Sequence, residues 1–384
     1  MSISFIEILE DEIFAGAEVL AGEGGLRRDI RRVSVFDCPY HEDMMEEGVV
    51  QEGDLFLSCL EQFPAGADDI TRFFEGMINY KAAGLMVVHT GRTDLLSDDL
   101  AGICRRADFP LIIVKSSNSY ASIMEVVNRY IAIGSINEIN AQKIERIRSG
   151  GLAAGENVEI INSINPEIKG NIVILSVEGK LHSPLFSMEL WRRYEENTSD
   201  ILVMGEPFTL ILSGNDERQL KQRADAAAVQ IKERYSDYRI GFSRIYEKRN
   251  VAEALAESEE ALRTSSLQGV AQYTYQPLSS LQLMMALRDS REARNFYDAY
   301  REAVEAKTSH DMAGELLNTV EIYVENHGDY KKTAAQISQH ENTVRYRINR
   351  VRSALGMEND VIRFHETISI ASKLKLLLDG EKPR

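Results

Sequence analysis

Cysteine is scarce in this chain, and so are long apolar runs and positive charge. Cys38, Cys59 and Cys104 are the three cysteines among 384 residues; an odd, widely spaced set builds neither a disulfide framework nor a zinc knuckle, and suits reduced thiols in a cytoplasm. No apolar run approaches the roughly 20 residues that cross a bilayer, and the amino terminus, MSISFIEILEDEIF, carries acids where a secretory signal carries bases. Lys and Arg number 44 against 60 Asp and Glu, a formal net charge of -16, which excludes a chain that coats nucleic acid or anionic membrane nonspecifically. Any contact with nucleic acid must be local. With 44% hydrophobic and 27% charged residues the composition is that of an ordinary globular protein, and the length accommodates roughly two to four domains. The expectation is a soluble cytoplasmic protein of several domains.

The first 119 residues read as an α/β domain. Short apolar runs at 32–36, 54–57, 85–88 and 111–114 alternate with amphipathic segments at 40–47, 69–82 and 94–107, each long enough for a crossover helix. GLMVVH and PLIIVK are apolar at successive positions, the signature of strands covered on both faces of a mainly parallel sheet. Residues 120–150 then form a helical connector. Val126, Tyr130, Ile133, Asn137, Asn140, Ile144 and Ile147 recur at spacings of four and three, which fits either a dimerising coil, with Asn fixing its register, or a helix lying on its own domain. GGLAAG at 150–155 closes that helix and opens no new strand-loop-helix unit, so it reads as a C-cap and hinge instead of a nucleotide loop. Residues 166–268 mix strands (171–177, 201–204, 208–212, 238–243) with helices (217–235, 251–263), an α+β domain with a hairpin signal at Gly205-Glu206-Pro207. Residues 275–384 read as helical throughout.

Chemistry concentrates at residues 328–356, GDYKKTAAQISQHENTVRYRINRVRSALG, which hold six bases against two acids in an otherwise acidic chain. A first helix with small residues at Ala334 and Ala335 is followed by a turn at Ser338-Gln339-His340 and a second helix. On that second helix Val344, Ile348, Val351 and Leu355 form one apolar face, leaving Arg345, Asn349 and Arg352 opposite. This is the pattern of a helix-turn-helix whose second helix enters a major groove about 12 Å wide. The expected base-side residues are His340, Glu341, Asn342, Arg345, Tyr346 and Asn349; Thr343, Arg347, Arg350, Lys331 and Lys332 suit phosphate contact.

AAQISQHENTVRYRINRVRSALG resembles the carboxy-terminal helix-turn-helix of the PucR/CdaR family of bacterial transcription regulators, through the H-x-N-T-x-x-Y-R run formed by His340, Asn342, Thr343, Tyr346 and Arg347. QPLSSLQLMMAL and ELLNTVEIYVENHGDYKKTAA resemble the family's preceding helices. RRVSVFD, EGDLFLS, AGLMVV and FPLIIV resemble its amino-terminal sensor, and RIGFS with AEALAESEEAL its degenerate GGDEF-like middle domain. Gln339 stands where the family usually has a small apolar residue. The resemblance implies a regulator of nitrogen or carbon catabolism. A ligand-responsive protein that binds a two-fold operator in double-stranded DNA as a homodimer or higher homo-oligomer is expected, since one recognition helix reads too few base pairs for genomic specificity.

A cyclase-like middle domain would need two glycines and paired acids at its hairpin. Met204-Gly205-Glu206-Pro207-Phe208 has lost one glycine and one acid, and Leu175-Ser176-Val177-Glu178 lacks the metal-bearing Asp. No catalytic residue, metal or cofactor is therefore expected there. Neither H-E-x-x-H nor G-x-S-x-G occurs, and Cys59 and Cys104 read as small buried hydrophobes. The effector should sit beyond the carboxyl ends of the parallel strands, where Ser58, Thr90, Arg92, Lys115, Ser116 and Asn118 would suit a small polar, anionic metabolite. Two other classes remain beside the regulator: a nucleotide-binding or cyclic-nucleotide enzyme using the middle domain, and a protein-interaction module whose helix-turn-helix meets an acidic partner.

Overall fold

The structure is a computed structural model. It describes residues 3–39, 41, 47–63, 69–88, 95–115, 117–181, 190, 191, 193, 194, 199–285, 287, 289–308 and 310–379. The expected helix at 40–47 therefore falls almost wholly outside the described residues. The chain divides into two compact units, Met1–Ser258 and Glu259–Arg384. Among the described residues no helix is long and apolar enough to cross a membrane.

The first unit opens with a short helix α1 (Phe5–Ile8) and strand β1 (Glu18–Ala21), followed by β2 (Arg32–Val35), β3 (Asp54–Ser58), α2 (Asp69–Asn79), β4 (Gly84–Val88), α3 (Asp98–Arg106) and β5 (Leu111–Val114). The strands form a sheet in the order β1-β5-β4-β3-β2. β2 to β5 run parallel, with Leu55 opposite Gly84 and Leu85 opposite Leu111. β1 is antiparallel to β5 and was not among the expected strands. The unbroken apolar runs have a direct cause. Phe56, Leu85, Val87 and Leu111 enter the core beneath α2 and α3, while Leu55, Leu57, Met86, Val88, Ile112 and Val114 enter the opposite core. A side chain so buried contributes about 1.5–3 kcal/mol, so both faces must stay apolar.

The opposite face is closed by helix α4 (Tyr120–Arg148), which spans 29 residues. Ile123, Val127 and Tyr130 belong to the core of the first sheet. Ile144 and Ile147, four turns further on, belong to a different core, that of a second sheet in the same unit. The four-three seam is thus spent within the unit: Tyr130, Ile133, Asn137, Ile144 and Ile147 are all buried. Asn137, 3% exposed, donates Nδ2–H to the Met204 carbonyl (2.9 Å) and accepts from the Met204 amide (2.7 Å). Its amide serves as one rung of a β ladder for the end of a strand that has no further neighbour on that side among the described residues. Gly150 and Gly151, at φ 74° and 83°, terminate the helix in the left-handed region that glycine adopts without steric cost.

Beyond α5 (Ala154–Ile164), the second sheet is built from β6 (Asn171–Leu181), β7 (Ile201–Val203), β8 (Phe208–Gly214), β9 (Tyr235–Phe242) and the two-residue β10 (Tyr246–Glu247), with α6 (Glu217–Arg234) and α7 (Val251–Gln268). The order is β9-β6-β8-β7 with β10 beside β6, all antiparallel. Leu220, Ala224, Ala227 and Ile231 of α6 cover one face; α5, the last turns of α4 and the start of α7 cover the other.

The second unit is helical apart from β11 (Gln272–Thr274). Its helices are α8 (Ser280–Met285), α9 (Arg291–Glu305), α10 (His310–Glu325), α11 (Tyr330–Gln336), α12 (Glu341–Ala354) and α13 (Val361–Asp379). Tyr300, Val304, Leu316, Val320, Tyr323, Ala334, Val344, Ile348, Val351, Phe364 and Ile368 form its core.

Candidate nucleic-acid interface

Helices α11 and α12 meet through a turn that the local sequence specifies. Asp329 caps α11, its carboxylate accepting from the Lys331 and Lys332 amides at 2.9 and 3.1 Å. Those bonds hold its pKa below the ordinary carboxylate value. At the other end Ser338 takes a left-handed φ of 53°, and the Gln339 amide returns to the Ala334 carbonyl at 2.9 Å, which closes the helix. The Gln339 side chain is exposed, so the turn does not call for the small apolar residue usual at that position. His340 caps α12, with Nδ1 accepting the Asn342 amide at 3.1 Å.

The apolar stripe packs as its spacing requires. Val344, Ile348 and Val351 are 0%, 1% and 0% exposed, with Leu355 half-buried against the same core. Consequently the structure brings Asn342, Arg345, Tyr346 and Asn349 together on the outward side of α12, with Lys331 and Lys332 exposed at the start of α11. Glu341 and Thr343 are half-buried at its first turn. Arg345 gives Nε–H and Nη2–H to Glu341 Oε1 (3.0 and 2.7 Å) and lies 4.2 Å from the centre of the Tyr330 ring. Arg350 donates to the Tyr346 hydroxyl at 2.8 Å. Arg352 donates to Asn349 and lies over the Phe364 ring.

Arg347 departs from the expectation. Its guanidinium turns away from the outward face, pairs with Glu315 and donates to Thr319 Oγ1 at 3.2 Å. With 19% of its side chain exposed it ties α12 to α10, and the structure does not bring it to the face on which a phosphate would be met. The signal that could have shown this is angular: Arg347 is three residues after Val344 and one before Ile348, at the border of the apolar stripe, where a long side chain lays its stem on the core.

The expected effector residues fare unevenly. Thr90, Arg92 and Ser116 lie outside the described residues. Ser58 is buried; its hydroxyl donates to Asp37 Oδ1 (3.2 Å) and accepts from the Leu60 amide (3.0 Å) and Gln62 Nε2 (3.2 Å). Asn118 donates to the Ile13 carbonyl, and exposed Lys115 lays its chain over Gly16. Sequence reasoning missed Asp37, Gln62 and Tyr120, which gather around Ser58 and Cys59 at the carboxyl ends of β2 and β3. Burial, and then the neighbouring Cys59 and Asp37, push the Tyr120 phenol far above its ordinary pKa. Cys59 is half-buried with Sγ 3.5 Å from Asp37 Oδ1, a polar setting and not that of a small hydrophobe; Cys104 is fully buried. Helix α4 starts at the carboxyl end of β5, so its first residue must stand at the ligand side of a parallel sheet; that rule could have pointed to Tyr120.

In the second sheet a cavity of about 780 Å³ opens at the hairpin, lined among others by Glu178, Lys180, Met204, Glu206, Tyr235, Asp237 and Arg239. Among the described residues no three His, Cys, Asp or Glu side chains group as metal ligands.

Comparison with known proteins agrees with this geometry at both ends of the chain. Residues 7–131 match the model of the purine catabolism regulatory protein-like family, and residues 316–374 match that of the PucR C-terminal helix-turn-helix domain. No curated protein matches the chain. Among solved structures, the regulator of polyketide synthase expression from Bifidobacterium adolescentis is similar at 16% identity, covering 64% of this chain and 100% of that one, with a TM-score of 0.28. The chain thus carries a domain of the PucR family at its amino end and a PucR helix-turn-helix at its carboxyl end, the latter with Asn342, Arg345 and Asn349 outward.

Proposed function

We propose that the chain is a ligand-responsive, DNA-binding transcriptional regulator of a catabolic pathway. The observation that carries this reading is the outward face of α12, where Asn342, Arg345, Tyr346 and Asn349 stand over a helix whose other side is wholly packed. A helix of this kind fits the major groove, with amide and guanidinium groups at base edges and Lys331 and Lys332 at phosphates. Binding is as a homodimer on a two-fold operator, because one recognition helix reads too few base pairs for genomic specificity. Since the α4 seam is packed within its own unit, the two copies meet elsewhere. The middle domain, GGDEF-like and without chemistry of its own, serves structure or dimerisation.

The effector is a small polar metabolite at the carboxyl ends of β3 to β5, bordered by Lys115. Because α4 packs on that sheet and on the second one, a ligand that favours one placement of the helix biases both. In vitro selection from a random-sequence duplex library with the full chain tests the DNA reading. An enriched motif with two-fold symmetry is expected, and Arg345→Ala should lose preference at a base pair of each half-site while keeping its fold. Absence of any enriched motif refutes the reading. A thermal-shift screen with catabolic metabolites tests the effector, whose binding should raise the first unit's transition.

A further inference from the structure

We infer that Arg345 is a pre-oriented reader of one guanine, and that Tyr330 and Glu341 are the positioning residues that aim it. The inference rests on the DNA-binding reading above and deepens it to a base identity.

A surface arginine ordinarily samples many rotamers, and that freedom is lost when it docks on a base. Arg345 is already constrained in two directions. Its plane lies over the Tyr330 ring, 4.2 Å from the centroid, and its inner edge, Nε and Nη2, is held by Glu341 Oε1. The ring beneath is itself backed. Tyr330 rests on Tyr323 at 4.9 Å, and Tyr323, 3% exposed, is stacked on His365 at 5.9 Å. A column of side chains from α13, α10 and α11 thus ends under one guanidinium of α12.

This clamp leaves a particular edge available. With the Nε side engaged, the outer edge formed by Nη1 and the second Nη2 proton remains, and Nη1 has no partner among the described residues. That fork matches guanine O6 and N7, the commonest bidentate arginine contact in the major groove. The residue sits in the second turn of α12, near the helix end that meets base edges. The other arginines of the helix are differently engaged: Arg347 is turned to Glu315, Arg350 serves Tyr346, and Arg352 serves Asn349.

Glu341 also decides what Arg345 does not do. A carboxylate at hydrogen-bonding distance offsets the arginine's charge and repels phosphate, so Arg345 releases few counterions and contributes little to salt dependence. Base reading and phosphate binding therefore separate experimentally.

The test uses the full chain and the duplex enriched by selection, with each base pair of the half-site replaced in turn and affinity read by fluorescence anisotropy across a salt series. For the wild type, replacing one G·C pair should weaken binding about tenfold or more. Arg345→Ala should show no preference at that position, with an unchanged salt slope. Tyr330→Ala and Glu341→Ala should each lose several-fold of the discrimination at the same position, whereas Tyr330→Phe, which keeps the ring, should retain it. Glu341→Ala leaves the core untouched and so decides the matter even if Tyr330→Ala unfolds. Discrimination unchanged in Glu341→Ala, or an Arg345→Ala variant that loses affinity equally at every position, overturns the assignment while leaving the DNA reading intact. If no motif is enriched by the wild type, the DNA reading itself fails and this assignment with it.

Discussion

Replacing Asn137 tests how α4 joins the two sheets of the first unit. The wild-type side chain is 3% exposed and bonds both the amide and the carbonyl of Met204. In Asn137→Ala those two main-chain groups stay buried without partners, each at a cost of about 1–3 kcal/mol. Some hydration is available, because a cavity of about 340 Å³ lined by neighbouring Ile136 and Asn140 lies beside the helix. The expected loss is accordingly about 3 kcal/mol for the pair, in the lower half of the combined range. Trp191 is the single tryptophan of the chain and belongs to the first unit, so its fluorescence in urea reports that unit's unfolding. With a slope of about 3 kcal/mol per molar, the midpoint should fall by about 1 M. The effect should not depend on protein concentration. A shift below about 0.2 M would refute the energetic argument, and one that grows on dilution would place Asn137 in an interface between two chains.

Three further outcomes follow from the second unit. Replacing Lys331 and Lys332 together by Ala should weaken binding to all duplexes alike and reduce the slope of log affinity against log salt by about one per lysine; an unchanged slope would remove them from the phosphate contacts. Arg347→Ala should lower the stability of the second unit by about 1–2 kcal/mol through loss of its bonds to Glu315 and Thr319, seen as a lower far-ultraviolet circular dichroism midpoint, with no change in salt slope. The pKa of Asp329 is held below the ordinary 3.8, first by the Lys332 amide. Its capping contribution is therefore complete above that value and disappears as pH falls through the lower folded value. Asp329→Asn should flatten the stability profile of α11 in that window, and a profile identical to wild type would show the cap to be idle.

Much of this architecture was legible in the sequence because its signals are local. A strand covered on both faces has to be apolar at every position, and 85–88 and 111–114 are. Helix α4 was legible from end to end, since Ser119 caps it by accepting the Ser122 amide and glycines follow its last turn. The stripe Val344, Ile348 and Val351 told which side of α12 is inside and hence which side carries Arg345 and Asn349. Strand β1 escaped notice because four residues, Glu18–Ala21, carry little periodicity and become a strand by pairing with β5 almost a hundred residues away. Asp37, Gln62 and Tyr120 were missed for the same reason: three separate elements bring them to Ser58.

Composition and periodicity by themselves determined which face of α12 is hidden and where α4 begins and ends, because burial and capping there depend on neighbours a few positions apart. What the α4 seam packs against, where Arg347 sends its charge, and that Tyr330 lies under Arg345 were decided by tertiary structure alone. Each of those outcomes depends on a partner supplied by a distant segment, and a side chain's direction is set by whichever partner the folded chain places within reach.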